Sequence, residues 1–128
     1  MAHRSRLAGF VIDCKVDDLD DAAAFWGTAL GWPVTDPGAD DEPDTYREFH
    51  GTPAQLRTFV QKVDHPPRVH LDIESDDIDA EADRLEKLGA KRVGFVQRWW
   101  VMEAPSGHRF CVVKMHHPER GAKPNEWP

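Results

Sequence analysis

Hydrophobic and polar residues alternate along Leu7 to Val16, and a period of two predicts a β-strand. One face of this strand carries Phe10, Ile12, Cys14 and Val16, and the other carries Val11, Asp13 and Lys15. The period changes over Leu19 to Leu30, where apolar and small residues recur at helical spacing. Asp17 or Asp18 can cap the start of this helix, and Gly31 can end it in a left-handed conformation.

The same order of elements returns in the second half of the chain. Arg68 to Glu74 alternates like a strand, and Asp77 to Leu88 has helical spacing, with Ser75 or Asp76 available as its cap. The acidic opening of each helix and the Leu-Gly pair that closes it also recur. An internal repeat of this kind predicts a duplicated architecture.

Several shorter strands complete each half. They are predicted over Trp32 to Thr35, Thr45 to His50, Leu56 to Val63, Lys91 to Gln97, Trp99 to Glu103 and His108 to Met115. The pattern therefore predicts an α+β fold of two βαβββ modules, whose curled mixed sheets surround a shared cleft. We expect one domain over residues 1–128, with module one at 7–63, module two at 68–115 and a loose tail at 116–128. The polar loop over residues 36–44 has a composition that permits a lid.

Composition narrows the possible partners. The chain has 128 residues and a formal net charge of -7, which argues against nucleic acid because phosphate binding needs a basic surface. Its two cysteines lie far apart in apolar strand-like runs, as is typical of reduced, buried thiols in a cytoplasmic protein. Apolar runs are too short to span a membrane, and the N-terminus does not resemble a signal peptide.

The faces that the helices leave uncovered carry the candidate functional residues. If each helix packs on the apolar face of its module's first strand, then the opposite faces line the cleft. These faces carry Val11, Asp13 and Lys15 in one module and His70, Asp72 and Glu74 in the other. Buried polar side chains need hydrogen bonds or solvent. These residues are therefore either paired structural groups or part of a site, and the sequence leaves both readings open.

Aromatic residues offer walls for such a cleft. Trp100 with Met102 is our prediction for the cleft face of one strand, and Phe59, on the same face as Gln61, is our prediction for the opposite wall. A tryptophan in a small domain is also a common core residue, so the alternative of simple packing remains.

The motifs, taken in order, resemble a known family. They are Val16-Asp17-Asp18-Leu19-Asp20, Phe25-Trp26, Leu30-Gly31, Val69-His70-Leu71-Asp72-Ile73, Asp76-Asp77-Ile78, Leu88-Gly89-Ala90 and the run from Ala104 to Cys111. From Leu7 to Met115, the chain resembles the vicinal oxygen chelate superfamily, and within it the small bacterial glyoxalase-like domain proteins.

The resemblance implies four positions that hold a divalent metal in many members of the family. They fall on Val11, near Gln61, on His70 and near Cys111. Val11 has no donor atom, and Cys111 stands where a carboxylate would be expected, so we expect no metal cofactor. If a metal is present, its ligands would be His70, Gln61 and Cys111, with Asp13 or Asp72 as a displaced ligand.

Three functions remain open at this point. The first is non-covalent binding of a small organic molecule by a homodimeric protein, with Val11, Asp13, Phe59, Gln61, His70, Asp72, Trp100, Met102 and Cys111 in the cleft. The second is a metal-dependent lyase, isomerase or dioxygenase that uses His70, or a metal-free enzyme with His70 as a general base. The third is an accessory domain without a ligand.

Overall fold

The computed structural model of this chain describes residues 2–34, 45–53 and 56–128. Within these residues it has two helices and eight strands. They are β1 (His3–Cys14), α1 (Leu19–Leu30), β2 (Tyr46–Glu48), β3 (Arg57–Lys62), β4 (Arg68–Ser75), α2 (Ile78–Lys87), β5 (Lys91–Val96), β6 (Trp99–Glu103), β7 (Arg109–Lys114) and β8 (Asn125–Trp127). The fold is mixed α+β, as predicted, and is consistent with two βαβββ modules. Within the described residues, three strands follow α2 before the tail, whereas α1 is followed by β2 and β3 alone before β4 begins.

The first helix forms as the sequence predicts. Asp18 caps it by accepting a hydrogen bond from the backbone N–H of Asp20, and Gly31 ends it with a φ of 74°. The predicted strand that follows is reduced to a single bridge between Val34 and Phe49, and Thr35 lies outside the described residues. The loop over residues 36–44 also lies outside them.

The second helix is capped by a different residue from the one predicted. Asp77 accepts the hydrogen bond from the backbone N–H of Ala80, so the prediction of Ser75 or Asp76 as the cap is wrong. The Ser75 hydroxyl instead donates to the Arg4 carbonyl, and the Asp76 carboxylate accepts from the Arg4 backbone N–H. Both side chains therefore form hydrogen bonds with the backbone of β1. The local sequence around α2 cannot reveal these distant partners.

The chain divides into two compact units, one of residues 10–69 and the other of residues 1–9 and 70–128. In the unit of residues 10–69, β3 lies between β2 and the second half of β1. Cys14, Leu19, Ala23, Phe49 and Val60 form its buried core, with Ile12 and Trp26 packed against them. The predicted helix-facing side of β1 is thus confirmed at Ile12 and Cys14.

The unit of residues 1–9 and 70–128 has its own core under α2. Its strands follow the order β1, β4, β7, β6, β5; β4 and β7 are parallel, whereas β7, β6 and β5 are antiparallel. Ala82, Met102, Phe110 and Val112 are buried together, and Ile73, Ile78 and Leu85 pack against them. The sheet face that carries these residues is therefore the one covered by α2.

The C-terminal tail differs from the expectation of a loose segment. Residues 125–127 form β8, which pairs antiparallel with the start of β1. The Arg6 guanidinium donates to the carbonyls of His117, Pro118, Arg120 and Ala122, and the Trp127 indole donates to Ser5. Most of these contacts are made to backbone carbonyls. Every residue has a backbone carbonyl, so the sequence of the tail does not indicate that Arg6 binds it.

Among the described residues, neither helix is long and apolar enough to cross a membrane.

Candidate functional site

Four predicted site residues share one sheet face in the unit of residues 10–69. Val11 and Asp13 alternate with Ile12 and Cys14, which face α1, so they point to the opposite side of β1. Val11 is 6% exposed and Asp13 only 2%. On β3, Phe59 and Gln61 alternate with the core residue Val60 in the same way.

Basic side chains surround the buried carboxylate of Asp13. Its Oδ2 lies 3.5 Å from Arg68 Nε and 3.8 Å from His65 Nε2. Sequence reasoning assigned no role to these two residues: His65 lies at the edge of a turn, and Arg68 is the first residue of its strand, directly after the Pro66-Pro67 connector. A buried carboxylate needs such partners, so these contacts support the structural reading of Asp13.

The neighbouring cysteine is an ordinary core thiol. Burial raises the pKa of Cys14, and the negative charge of Asp13 raises it further. The thiol therefore stays protonated and unreactive at neutral pH.

In the unit of residues 1–9 and 70–128, three predicted site residues come together. Asp72 on β4 lies directly opposite Cys111 on the parallel strand β7, and His70 precedes Asp72 by two residues on the same face. Their potential ligand atoms, an imidazole nitrogen, a carboxylate oxygen and a sulfur, all lie within 4.8 Å of one another. His70 Nε2 is 3.4 Å from Asp72 Oδ1, closer than the 6–7 Å or so that separates alternate residues along a strand.

The cluster is polar and largely sheltered from solvent. The side chain of His70 is 10% exposed and that of Asp72 is 17% exposed. Among the described residues, Asp72 Oδ1 is a buried oxygen that accepts no hydrogen bond. A buried acceptor that receives no hydrogen bond lowers the stability of the folded protein, because its desolvation is not compensated. A ligand that donates a hydrogen bond to this oxygen, or a cation beside it, would therefore stabilise the protein.

The prediction that Trp100 and Met102 face a cleft is wrong. Met102 is fully buried in the core under α2, and the Trp100 indole donates a 2.9 Å hydrogen bond to Asp79 of that helix. The antiparallel register pairs Met102 with Phe110 and Val101 with Cys111. Val101, which sequence reasoning overlooked, is therefore the β6 residue on the face of Cys111.

The donor atoms at the four metal positions implied by the resemblance do not fit a hard divalent ion. Of the four implied metal positions, Val11 has no donor, Gln61 has a neutral amide, His70 has an imidazole and Cys111 has a soft thiol. Ions such as Mn²⁺ and Mg²⁺ prefer several oxygen ligands, carboxylates above all.

A surface groove of about 310 Å³ lies elsewhere, in the unit of residues 10–69. It is lined by Ala23, Ala24, Gly27, Thr28, Gly31, Trp32, Pro33 and Val34. None of the predicted site residues belongs to it, and its lining has no charged group.

Comparison with known proteins identifies the family. The profile of the family described as a glyoxalase-like domain matches residues 9–113. A search of curated proteins finds no match.

Solved structures show the same fold at low sequence identity. The Mn(II)-bound glyoxalase from Novosphingobium aromaticivorans has a TM-score of 0.59 and 18% identity over 96% of this chain, which spans only 42% of that protein. Methylmalonyl-CoA epimerase from Mycobacterium tuberculosis has a TM-score of 0.58 and 17% identity, covering 86% of this chain and 87% of the epimerase. A glyoxalase/bleomycin resistance protein/dioxygenase superfamily member from Vibrio splendidus 12B01 has a TM-score of 0.54 and 14% identity, with 87% and 99% covered.

Proposed function

The chain belongs to the glyoxalase-like domain family, and on that premise we propose that it binds a small organic molecule at the His70, Asp72 and Cys111 cluster without a hard divalent ion. The observation that carries this proposal is the buried Asp72 Oδ1, which accepts no hydrogen bond from any described residue. A ligand N–H or O–H would satisfy this oxygen and remove its desolvation cost. The absence of a carboxylate from the implied metal positions supports the exclusion of Mn²⁺ and Mg²⁺.

The chemistry of the cluster limits the ligand. Asp72 can accept a hydrogen bond, His70 can donate or accept one, and Cys111 and Val101 provide softer contacts beside them. Such a surface suits a molecule with an apolar body and one or two polar groups. The predicted contribution of Val11, Asp13, Phe59 and Gln61 from the other unit remains a prediction from the sequence.

A thermal-shift screen of small aromatic and carboxylic compounds, run in chelator, tests this proposal. We expect at least one compound to raise the melting temperature of the wild type, and His70→Ala and Asp72→Asn to abolish the rise. His116→Ala is the matched control, because His116 is an exposed residue of the tail. A rise that both cluster variants retain, or no rise with any compound, would refute the proposal.

The second candidate function is catalysis at the same cluster. The specific observation in its favour is that His70, Asp72 and Cys111 bring three possible metal ligands within 4.8 Å of one another. A bound divalent ion would polarise oxygen atoms of a substrate, as a lyase, isomerase or dioxygenase of this family requires. Without metal, Asp72 would orient His70 as a general base across their 3.4 Å separation. Turnover that disappears in both His70→Ala and Asp72→Asn would favour this candidate over simple binding.

We also propose that the protein is a cytoplasmic homodimer. Both cysteines are free thiols, as expected in a reducing compartment. Large apolar residues are exposed in the unit of residues 1–9 and 70–128, among them Leu88 and Phe95, and a second copy would cover such residues. Light scattering of the purified chain should give twice the monomer mass, and a monomer at micromolar concentration would contradict the proposal.

A further inference from the structure

We infer that Cys111 is a nucleophile that forms a covalent bond with α,β-unsaturated carbonyl compounds, and that His70 is the base that takes the thiol proton. Asp72 orients the His70 ring for this transfer. The inference rests on the cluster of the proposed function but goes beyond reversible binding, because a carbon–sulfur bond forms. It requires no metal ion, and it uses residues of one unit only.

The strand register brings the three reacting groups together. Asp72 of β4 lies directly opposite Cys111 of β7, and His70 lies two residues earlier on the same face of β4. The Cys111 sulfur, an imidazole nitrogen of His70 and a carboxylate oxygen of Asp72 all lie within 4.8 Å of one another. A nucleophile beside a base that a third group orients is the general arrangement of thiol enzymes. Contacts of this kind are often long before the substrate binds and shorten in the complex.

The buried carboxylate favours the transfer of a proton to His70. Asp72 Oδ1 is buried, accepts no hydrogen bond from any described residue and lies 3.4 Å from His70 Nε2. When the thiol gives its proton to His70, the imidazole becomes positively charged beside this negative oxygen, and their attraction offsets the cost of burying the carboxylate. The two side chains are only 10% and 17% exposed, so solvent screens this attraction weakly.

Neighbouring residues favour one class of electrophile. Val101 of β6 lies opposite Cys111 and provides an apolar contact beside the sulfur. Arg109 precedes Cys111 by two residues, so it lies on the same face of β7, and its Nε donates to Glu103 at 3.3 Å. Its guanidinium, 36% exposed, has further donors that can bind a carbonyl oxygen and stabilise negative charge there. This surface therefore suits an apolar compound in which an alkene is conjugated to a carbonyl group.

The reaction balances without a further reactant. The thiol gives its proton to His70, and the sulfur forms a bond with the β-carbon of the alkene. The electrons of the carbon–carbon double bond move to the carbonyl oxygen, which becomes an enolate beside Arg109. The proton on His70 then passes to the α-carbon. One S–H bond and one carbon–carbon π bond are lost, and one S–C and one C–H bond form, so no oxidant, reductant or leaving group takes part.

Intact-mass spectrometry of the full-length chain, treated with acrylamide in the presence of a chelator, tests the inference. We expect one adduct per chain, located on Cys111 by peptide mapping, and a reaction at least about tenfold faster than that of N-acetylcysteine. Cys111→Ser should give no adduct. His70→Ala and Asp72→Asn should each slow the reaction at least about tenfold, because they remove the base or the charge that stabilises its protonated form.

Matched controls separate the cluster from the rest of the chain. Cys14→Ala removes a buried core thiol, whose pKa is raised by burial, and His116→Ala removes an exposed tail histidine; both should keep the wild-type rate. A misfolded variant would also acquire an adduct on Cys14, because unfolding exposes this thiol, so a slow reaction without that second adduct is due to the lost side chain. Arg109→Gln should slow the addition of acrylamide but not alkylation by iodoacetamide, because no enolate forms in that substitution.

Three results would overturn the inference: a Cys111 that reacts no faster than N-acetylcysteine, an adduct that forms first on Cys14, or wild-type rates in both His70→Ala and Asp72→Asn. Cys111→Ser retains His70 and Asp72, so it should keep the melting shift that a reversibly bound compound causes. A melting shift in a protein whose Cys111 is unreactive removes this inference and leaves the proposed function. A reactive Cys111 in a protein that no compound stabilises does the reverse.

Discussion

The imidazole of His3 lies 2.8 Å from the carboxylate of Glu81, and the two side chains are only 4% and 0% exposed. Arg84, one turn further along α2, donates two hydrogen bonds to the same carboxylate at 2.7 and 2.8 Å. Its guanidinium also lies 3.9 Å from the centre of the Trp127 ring. Glu81 of α2 thus binds His3 of β1 directly, and it binds Arg84, which in turn contacts Trp127 of β8.

The stability of this unit should fall in acid because of Glu81. Burial by itself raises the pKa of Glu81, but hydrogen bonds from Arg84, His3 and Ser5 outweigh it and hold the pKa below its ordinary value of 4.5. The unfolded chain therefore takes up a proton before the folded chain does. The stabilisation is complete well above pH 4.5 and is lost as the pH falls from there through the lower pKa of the folded state.

Glu81→Gln should flatten this acid dependence. Urea unfolding should show that Glu81→Gln lowers the free energy of unfolding by about 3 kcal/mol at pH 7, because Arg84 loses its buried partner. Between pH 7 and pH 3, the free energy of unfolding should fall less steeply in the variant than in the wild type. Glu86→Gln is the matched control: Glu86 lies on the same helix and pairs with Arg92, but its side chain is 40% exposed. The control should change the free energy by under about 1 kcal/mol. If the free energy of unfolding falls with pH equally in Glu81→Gln and in the wild type, Glu81 is not the cause of the acid sensitivity.

Arg6→Ala should release the C-terminal segment. Arg6 pairs with Glu74 at 2.7 Å, and these side chains are 10% and 11% exposed. Its removal takes the Arg6 donor away from a buried carboxylate and several backbone carbonyls, so we expect the free energy of unfolding to fall by about 3–5 kcal/mol. We also expect rapid proteolysis after residue 115. Arg4→Ala breaks the more exposed pair with Asp76, at 40% and 36%, and should cost under about 1 kcal/mol. Equal protease resistance of Arg6→Ala and the wild type would show that the tail is held by other contacts.

Met102→Ala should damage stability and leave the cluster at His70 intact. Met102 is fully buried under α2, so truncation creates a cavity and should cost about 2–5 kcal/mol in urea unfolding. Val101→Ala is the matched change on the opposite face of β6; it removes fewer atoms from a partly exposed site and should cost less. If the affinity for the organic ligand falls in Met102→Ala while stability is unchanged, the placement of Met102 in the core is wrong.

Gly27→Ala should destabilise the protein although glycine is a poor helix former. A Cβ at this position would lie 2.9 Å from the backbone oxygen of Trp32, and backbone cannot move away easily. Overpacking of this kind costs about 1–3 kcal/mol and outweighs the roughly 1 kcal/mol gain in helix propensity. Gly94→Ala has open space around its Cβ and should change stability by less than about 0.5 kcal/mol. A higher melting temperature for Gly27→Ala would mean that the segment after α1 adjusts freely.

Residues close together in sequence encoded the elements that were predicted well. α1 forms between Leu19 and Leu30, as predicted, because its cap, its apolar stripe and its terminal glycine all lie within one short segment. Alternation likewise put His70 and Asp72 on one face of β4, since successive side chains of a strand point to opposite sides. The cap of α2 was missed because Ser75 and Asp76 bind Arg4, about seventy residues earlier in the chain.

The sequence by itself therefore determined both helices, the two faces of β1 and of β4, and the family, because periodicity and motif spacing act over a few residues. Only the tertiary structure decided that β4 pairs with β7, and thereby that Asp72 lies opposite Cys111. It also decided which face of β6 is covered: Trp100 and Val101 are both apolar, and only pairing with β7 places Trp100 under α2. Strand partners are chosen by the burial and hydrogen bonding of the whole sheet, and no local pattern contains that information.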